Sequence, residues 1–189
     1  MKHAFVAERL DVPAFIRAGA LLEGQWPLAR LERLADEAAG QDRSDAPART
    51  VVWRAEGLPR TPAGGATELW LRLQAELHMP LVCQRCMGPL DLPLEVDREF
   101  RFVADEATAA RLDDESEHDV LVASREFDLV ALIEDELLMA LPIVPRHETC
   151  PEAVRLTAED PDFQTASAAR EKPFAGLARL RVVRDDDPA

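Results

Sequence analysis

The sequence predicts an α+β fold: an antiparallel β-sheet with a Cys-x-x-Cys hairpin tip and a few packed helices. The first observation is strict apolar–polar alternation, the mark of strands with one buried face. Leu69, Leu71, Leu73, Ala75 and Leu77 interleave with Glu68, Trp70, Arg72, Gln74 and Glu76. A second alternation runs through Leu90, Leu92, Leu94 and Val96 and, after Arg98, Phe100 and Phe102. The link from Met79 to Pro89 is short and bounded by Gly and Pro, so the two segments read as an antiparallel hairpin with Cys83 and Cys86 at its tip. The third observation is a helical period over 129–141, where Leu129, Leu132, Ile133, Leu137, Ala140 and Leu141 share one face.

The remaining elements follow in chain order. Pro27 suits a first helical position, and Leu28, Leu31, Leu34, Ala35 and Ala38 repeat at helical spacing, predicting an early helix from Pro27 to Ala39. Gly40 to Pro47 is a polar break. Val51, Trp53 and Ala55 fall on one side of a short strand over 50–56, and Leu58 to Ala66, with Gly64-Gly65, reads as a turn. The predicted sheet therefore uses strands near 50–56, 67–77 and 90–103. The stretch 104–119 is acidic and predicted to be a mobile loop with one helical turn near Ala107 to Leu112. Asp128 caps the helix that follows, and Pro142 stops it. The apolar side of that helix is expected to pack on the Leu69/Leu71/Leu73 face, with Glu134, Asp135 and Glu136 forming a charged, solvated side. A polar loop and a last apolar patch over 173–180 complete a single domain over 1–180, followed by a flexible tail over 181–189.

Composition fits such a domain and excludes several classes. The chain has 189 residues, 47% hydrophobic and 31% charged, enough to bury a core. It has no Tyr and only 5% aromatics, so that core is aliphatic. No apolar run approaches the ~20 residues of a membrane span, and the first residues lack the apolar core of a signal peptide, so a cytoplasmic protein is expected. Net charge is −14, concentrated in residues 104–163, which alone carry −13, while 164–184 carry +4. A surface this acidic argues against coating a polyanion generally, but not against a local arginine-bearing contact.

Cysteine spacing carries the chemistry. Cys83-x-x-Cys86 is half of a zinc site, because two intervening residues let both thiolates reach one tetrahedral ion from a tight turn. Cys150, with His147 three residues earlier, supplies the other half of a Cys₃His set, and the fold must join the halves. Two plainer readings stand beside it: a redox pair, although the motif opens no thioredoxin-like unit, and a pair that holds no metal. Arg85, between the thiolates, would be held outward by such a knuckle and is a candidate phosphate contact. Arg179, Arg181 and Arg184 in the basic segment are further candidates, against the reading of a solvated tail. There is no G-x-G-x-x-G, P-loop, H-E-x-x-H or G-x-S-x-G, and nothing assembles a nucleophile, base and oxyanion site. No small-molecule substrate is evident.

Three segments resemble a known family. Cys83-Gln84-Arg85-Cys86-Met87-Gly88-Pro89 resembles the "C-Q-R-C-L-x-P" signature of the YceD family, the large ribosomal RNA subunit accumulation proteins. Asp128-Leu129 through Glu134-Asp135-Glu136 to Leu141-Pro142-Ile143-Val144-Pro145 is similar to its "D-L-x-x-x-(I/V)-E-D-E-(I/L)-x-L-x-L-P-x-x-P" segment. Lys172-Pro173-Phe174-Ala175-Gly176-Leu177-Ala178-Arg179-Leu180 is similar to its closing "N-P-F-A-x-L-x-x-L", with Lys172 in place of Asn. The first 60 residues resemble the family only loosely. The resemblance implies a protein without enzymatic activity, needed for accumulation of large-subunit (23S) rRNA, with metal and nucleic acid as expected ligands. Many relatives carry a second cysteine pair after "L-P-x-x-P"; this chain has only Cys150 and His147 there. The expected function is a ribosome-biogenesis factor that binds large-subunit rRNA precursor or a ribosomal protein. The alternatives are an acidic protein–protein adaptor that does not touch RNA, and an enzyme acting on RNA, for which the sequence offers no catalytic constellation.

Overall fold

Three long strands dominate the molecule. β2 (Thr50–Arg60), β3 (Glu68–Val82) and β4 (Pro89–Val103) form the centre of a five-stranded sheet in the order β1-β2-β3-β4-β5, with β1 (Leu21–Pro27) and β5 (Asp119–Val122) at the edges. The structure, a computed structural model, describes residues 5–39 and 49–152 together with Phe174. By internal contacts the chain separates after Glu152, and every element described belongs to the unit Met1–Glu152. The expected continuation of the domain to 180 and the tail 181–189 lie outside the described residues, Phe174 apart. Among the described residues no helix is long and apolar enough to cross a membrane.

The period-2 pattern becomes a stacked inner face. Leu71 pairs with Phe100, Ala75 with Val96, Leu77 with Leu94, Met79 with Leu92 and Leu81 with Leu90, so both long strands turn the same residues inward. α1 (Val12–Arg17), α2 (Glu32–Asp36) and α4 (Leu129–Met139) cover that face. Their Phe15, Ile16, Leu34, Leu129, Ile133 and Leu137 are fully buried beside Leu71, Leu73 and Phe100. α1 can lie this close because β2 offers Gly57 beneath it: a Cβ there would sit 2.7 Å from the Ile16 Cα. The other face is polar and laced with ion pairs such as Arg72–Asp97 at 2.7 Å. Trp70 lies on that polar face yet is only 7% exposed, because Arg60 and Arg101 lie over its ring.

The α+β class holds, and α4 meets the β3 face as its period requires. Other elements differ from expectation. Residues 27–39 are not one helix. Pro27 closes β1 opposite Thr50, Leu28–Arg30 is a 3₁₀ turn, and only Glu32–Asp36 is α-helical. Apolar residues spaced by three fit two short turns as well as one long helix, and β1 is fixed by pairing with β2 and by Trp26 against Trp53, ring centroids 4.5 Å apart. β2 continues through Leu58 to Arg60, leaving the turn to 61–67. The acidic stretch is more than a loop: α3 (Glu106–Asp113), capped by Asp105, leads into β5, which pairs with β4 in parallel. The sheet is therefore antiparallel except at that edge.

A larger correction concerns α4. Glu134 and Glu136 are 9% and 5% exposed, not a solvated side. Glu134 accepts hydrogen bonds from the Arg33 and Leu34 amides at 2.8 and 3.2 Å and from Arg33 Nε at 2.9 Å, so it caps α2 from another element. Glu136 pairs with Arg98 of β4, which also reaches Asp119 of β5.

Candidate metal centre

The tip of the β3–β4 hairpin is a closed knuckle. Beyond the last pair, Val82 opposite Pro89, the Cys83 amide donates to the Gly88 carbonyl at 2.9 Å and the Met87 amide donates to the Cys83 carbonyl at 2.8 Å. Closing so tightly requires a left-handed residue, and Met87 takes it with φ 60°. Both cysteines thereby lie on one side of the turn. α4 supplies the other half. It ends at Met139, and the chain turns back so that the Gln84 amide donates to the Pro145 carbonyl at 2.8 Å. That contact docks residues 145–150 against the knuckle.

The structure brings together all four predicted ligands. One donor atom from each of Cys83, Cys86, His147 and Cys150 lies within 4.8 Å of every other. Cys83 Sγ and Cys150 Sγ are 3.9 Å apart, and Cys86 Sγ is 3.5 Å from His147 Nδ1. Tetrahedral zinc with Zn–S bonds of about 2.3 Å needs sulfurs about 3.8 Å apart, so the spacing suits one ion. It is too long for a disulfide, whose S–S bond is about 2.05 Å. Three soft sulfurs and an imidazole are donors that favour zinc among common divalent ions. All four positions come from protein, which is the pattern of a structural rather than a catalytic site.

The surroundings favour thiolate at Cys83. Burial raises the Cys83 thiol, but hydrogen bonds from the Cys86, His147 and Arg85 amides and from the Cys86 thiol outweigh it and bring its pKa down to about 5. The Gly88 amide lowers Cys86, yet burial and the Cys150 and Cys83 thiols leave it raised. Cys83 and Cys86 thus titrate as a pair, the charge on one holding the other neutral.

Arg85 is exposed, but its guanidinium is engaged by the returning loop. Its Nε donates to Cys150 Sγ at 3.1 Å, and its Nη2 donates to the His147 and Glu148 carbonyls at 2.8 and 3.1 Å. The hydrogen bond to Cys150 is the main cause of its raised pKa. Arg85 is thus an outer partner of the ligand set, orienting Cys150 and clamping the 145–150 loop. Spacing alone shows where Arg85 sits in the motif; only the returning loop offers the acceptors that engage it. Arg179, Arg181 and Arg184 lie outside the described residues.

Comparison with known proteins places these features in context. The model of the family described as "Large ribosomal RNA subunit accumulation protein YceD" matches residues 71–181, which hold the hairpin, α4 and all four candidate ligands. A curated relative from Haemophilus influenzae, named "Large ribosomal RNA subunit accumulation protein YceD", is 32% identical over 111 residues, 57% of this chain. The match spans 63% of that relative's length. No solved structure matches the chain.

Proposed function

The chain belongs to the YceD family, and from that membership we propose that it is a non-enzymatic factor in large-subunit ribosome biogenesis. It supports accumulation of 23S rRNA in the cytoplasm by binding an rRNA precursor or a ribosomal protein within the assembling particle. The observation that carries this reading is the family match over 71–181, which covers the hairpin and the donor cluster together. The closed donor set supports a binding rather than a catalytic role. A zinc ion held by Cys83, Cys86, His147 and Cys150 would pin the hairpin tip to the loop after α4 and rigidify that end of the sheet.

The test is affinity purification of the tagged full chain from growing cells, with co-purifying RNA and protein identified together. Recovery of precursor large-subunit particles is the expected result. Recovery of an unrelated metabolic complex, with no ribosomal component, would overturn the reading.

A further inference from the structure

Most described arginines end on carboxylates: Arg9 on Glu126, Arg30 on Glu8, Arg49 on Asp91, Arg60 on Glu99 and Arg72 on Asp97. Four do not end on any partner among the described residues, Arg17, Arg111, Arg125 and Arg146, and of these Arg17 and Arg111 lie together. Both are exposed, and neither guanidinium has an ion pair or hydrogen bond with another described residue. These two line the same groove, a space of about 740 Å³ between α1, the turn over 61–67 and α3. A third arginine, Arg101, joins them, held by Glu68 at 2.6 Å, and Glu68 is the single acid in the lining. Asp105, whose carboxylate accepts from the Thr108 amide and hydroxyl at the start of α3, also feels the Arg111 charge but does not line the groove. Glu106, Asp113 and Asp114 of α3 do not line the groove. The groove is therefore locally basic on a globally acidic molecule.

We infer that this groove, through Arg17, Arg101 and Arg111, binds the phosphodiester backbone of RNA. The inference deepens the proposed function by assigning the RNA contact to the end of the β3–β4 hairpin opposite the cysteine knuckle. The space is far larger than one phosphate group fills, so it suits a chain of phosphates rather than a single ion. Gly65 and Thr67 bring small side chains and main chain to the groove, leaving room for a strand to approach. The groove presents no exposed aromatic ring for stacking bases, so contacts fall on the backbone and carry little sequence preference. Arginine suits this task because its planar fork matches phosphate oxygens. The acidic remainder of the surface repels RNA elsewhere and confines it to this track.

The experiment measures binding of the full chain to an in vitro transcribed large-subunit rRNA fragment across a salt series. The test variant is R17Q/R111Q; the control, R9Q/R54Q, removes the same net charge from other exposed positions. Two lost contacts with single-stranded RNA should make the salt slope shallower by about 1.4, roughly 25-fold weaker binding near 0.1 M salt if affinities converge at 1 M. The control should keep the wild-type slope, and both variants should melt like wild type. Wild-type protein that ignores the RNA, or a test variant that behaves like the control, would overturn the groove assignment. So would loss of a co-purifying ribosomal protein with RNA binding unchanged, since the groove would then be a protein contact. Each of those results leaves recovery of precursor particles intact as a separate test of the proposed function.

Discussion

Glu134 is the side chain whose position in the sequence says least about its role. It sits between Ile133 and Asp135 in an acidic run, yet it holds two amides of α2 and the Arg33 side chain. Glu134→Ala would leave those amides without a partner in a part-buried site and should cost about 1–3 kcal/mol. Asp135→Ala removes only an ion pair about half exposed on both sides and should be near neutral. Chemical denaturation of the two variants checks this, and equal midpoints would refute the capping role. Glu136 adds a pH prediction. Burial raises its pKa against the opposing charge and hydrogen bond of Arg98. A carboxyl with a folded pKa above its unfolded value contributes stability below about pH 4.3 and loses it as pH rises through the folded pKa. Glu136→Gln cannot ionise, so its stability relative to wild type should rise between about pH 4 and pH 7. A constant difference across that range would show that the side chain ionises freely in the folded protein.

At the scale of elements, the sheet and α4 depend on each other. Leu71 is fully buried opposite Phe100, in the same core as Ile133 and Leu137 of α4. Leu71→Asp would bury an unpaired carboxylate and should cost about 4 kcal/mol or more. Thermal melting measures it, and a wild-type transition would mean that this strand face is not the core. β3, β4 and α4 were legible because each repeats its period over many residues. β1 was not, and Gly24 shows why. Its inward positions are Leu22, Gly24 and Trp26, and the middle one must be empty because a Cβ there would come 3.0 Å from the Trp53 ring. The alternation that marks a strand is thus interrupted where the packing is tightest. β5 is too short, four residues behind an acidic helix, to show a period.

At the scale of the molecule, the donor cluster joins segments more than 60 residues apart in sequence. A bound metal there contributes directly to folding free energy, because the unfolded chain cannot present the four donors together. Metal analysis of untagged protein should give about one zinc per chain. A chelator, and separately Cys83→Ser, should each lower the melting temperature by roughly 10 °C, corresponding to a few kcal/mol for a chain of this size. Metal-free protein with unchanged stability would leave the cysteines as ordinary turn residues.

The sequence by itself determined the α+β class, the long hairpin, the α4 helix and the four candidate ligands. Each of these is written in local spacing: period 2, period 3.6, or two residues between donors. Tertiary structure alone decided what depends on the approach of distant segments. It brought His147 and Cys150 within reach of the knuckle, bound the Arg85 guanidinium to Cys150 and the loop carbonyls, buried Glu134 and Glu136 against α2 and Arg98, and left Arg17 and Arg111 unpaired in one groove. A charged side chain looks the same in sequence whether water or a partner solvates it. Only the fold supplies the partner, and so only the fold separates a structural charge from a free one.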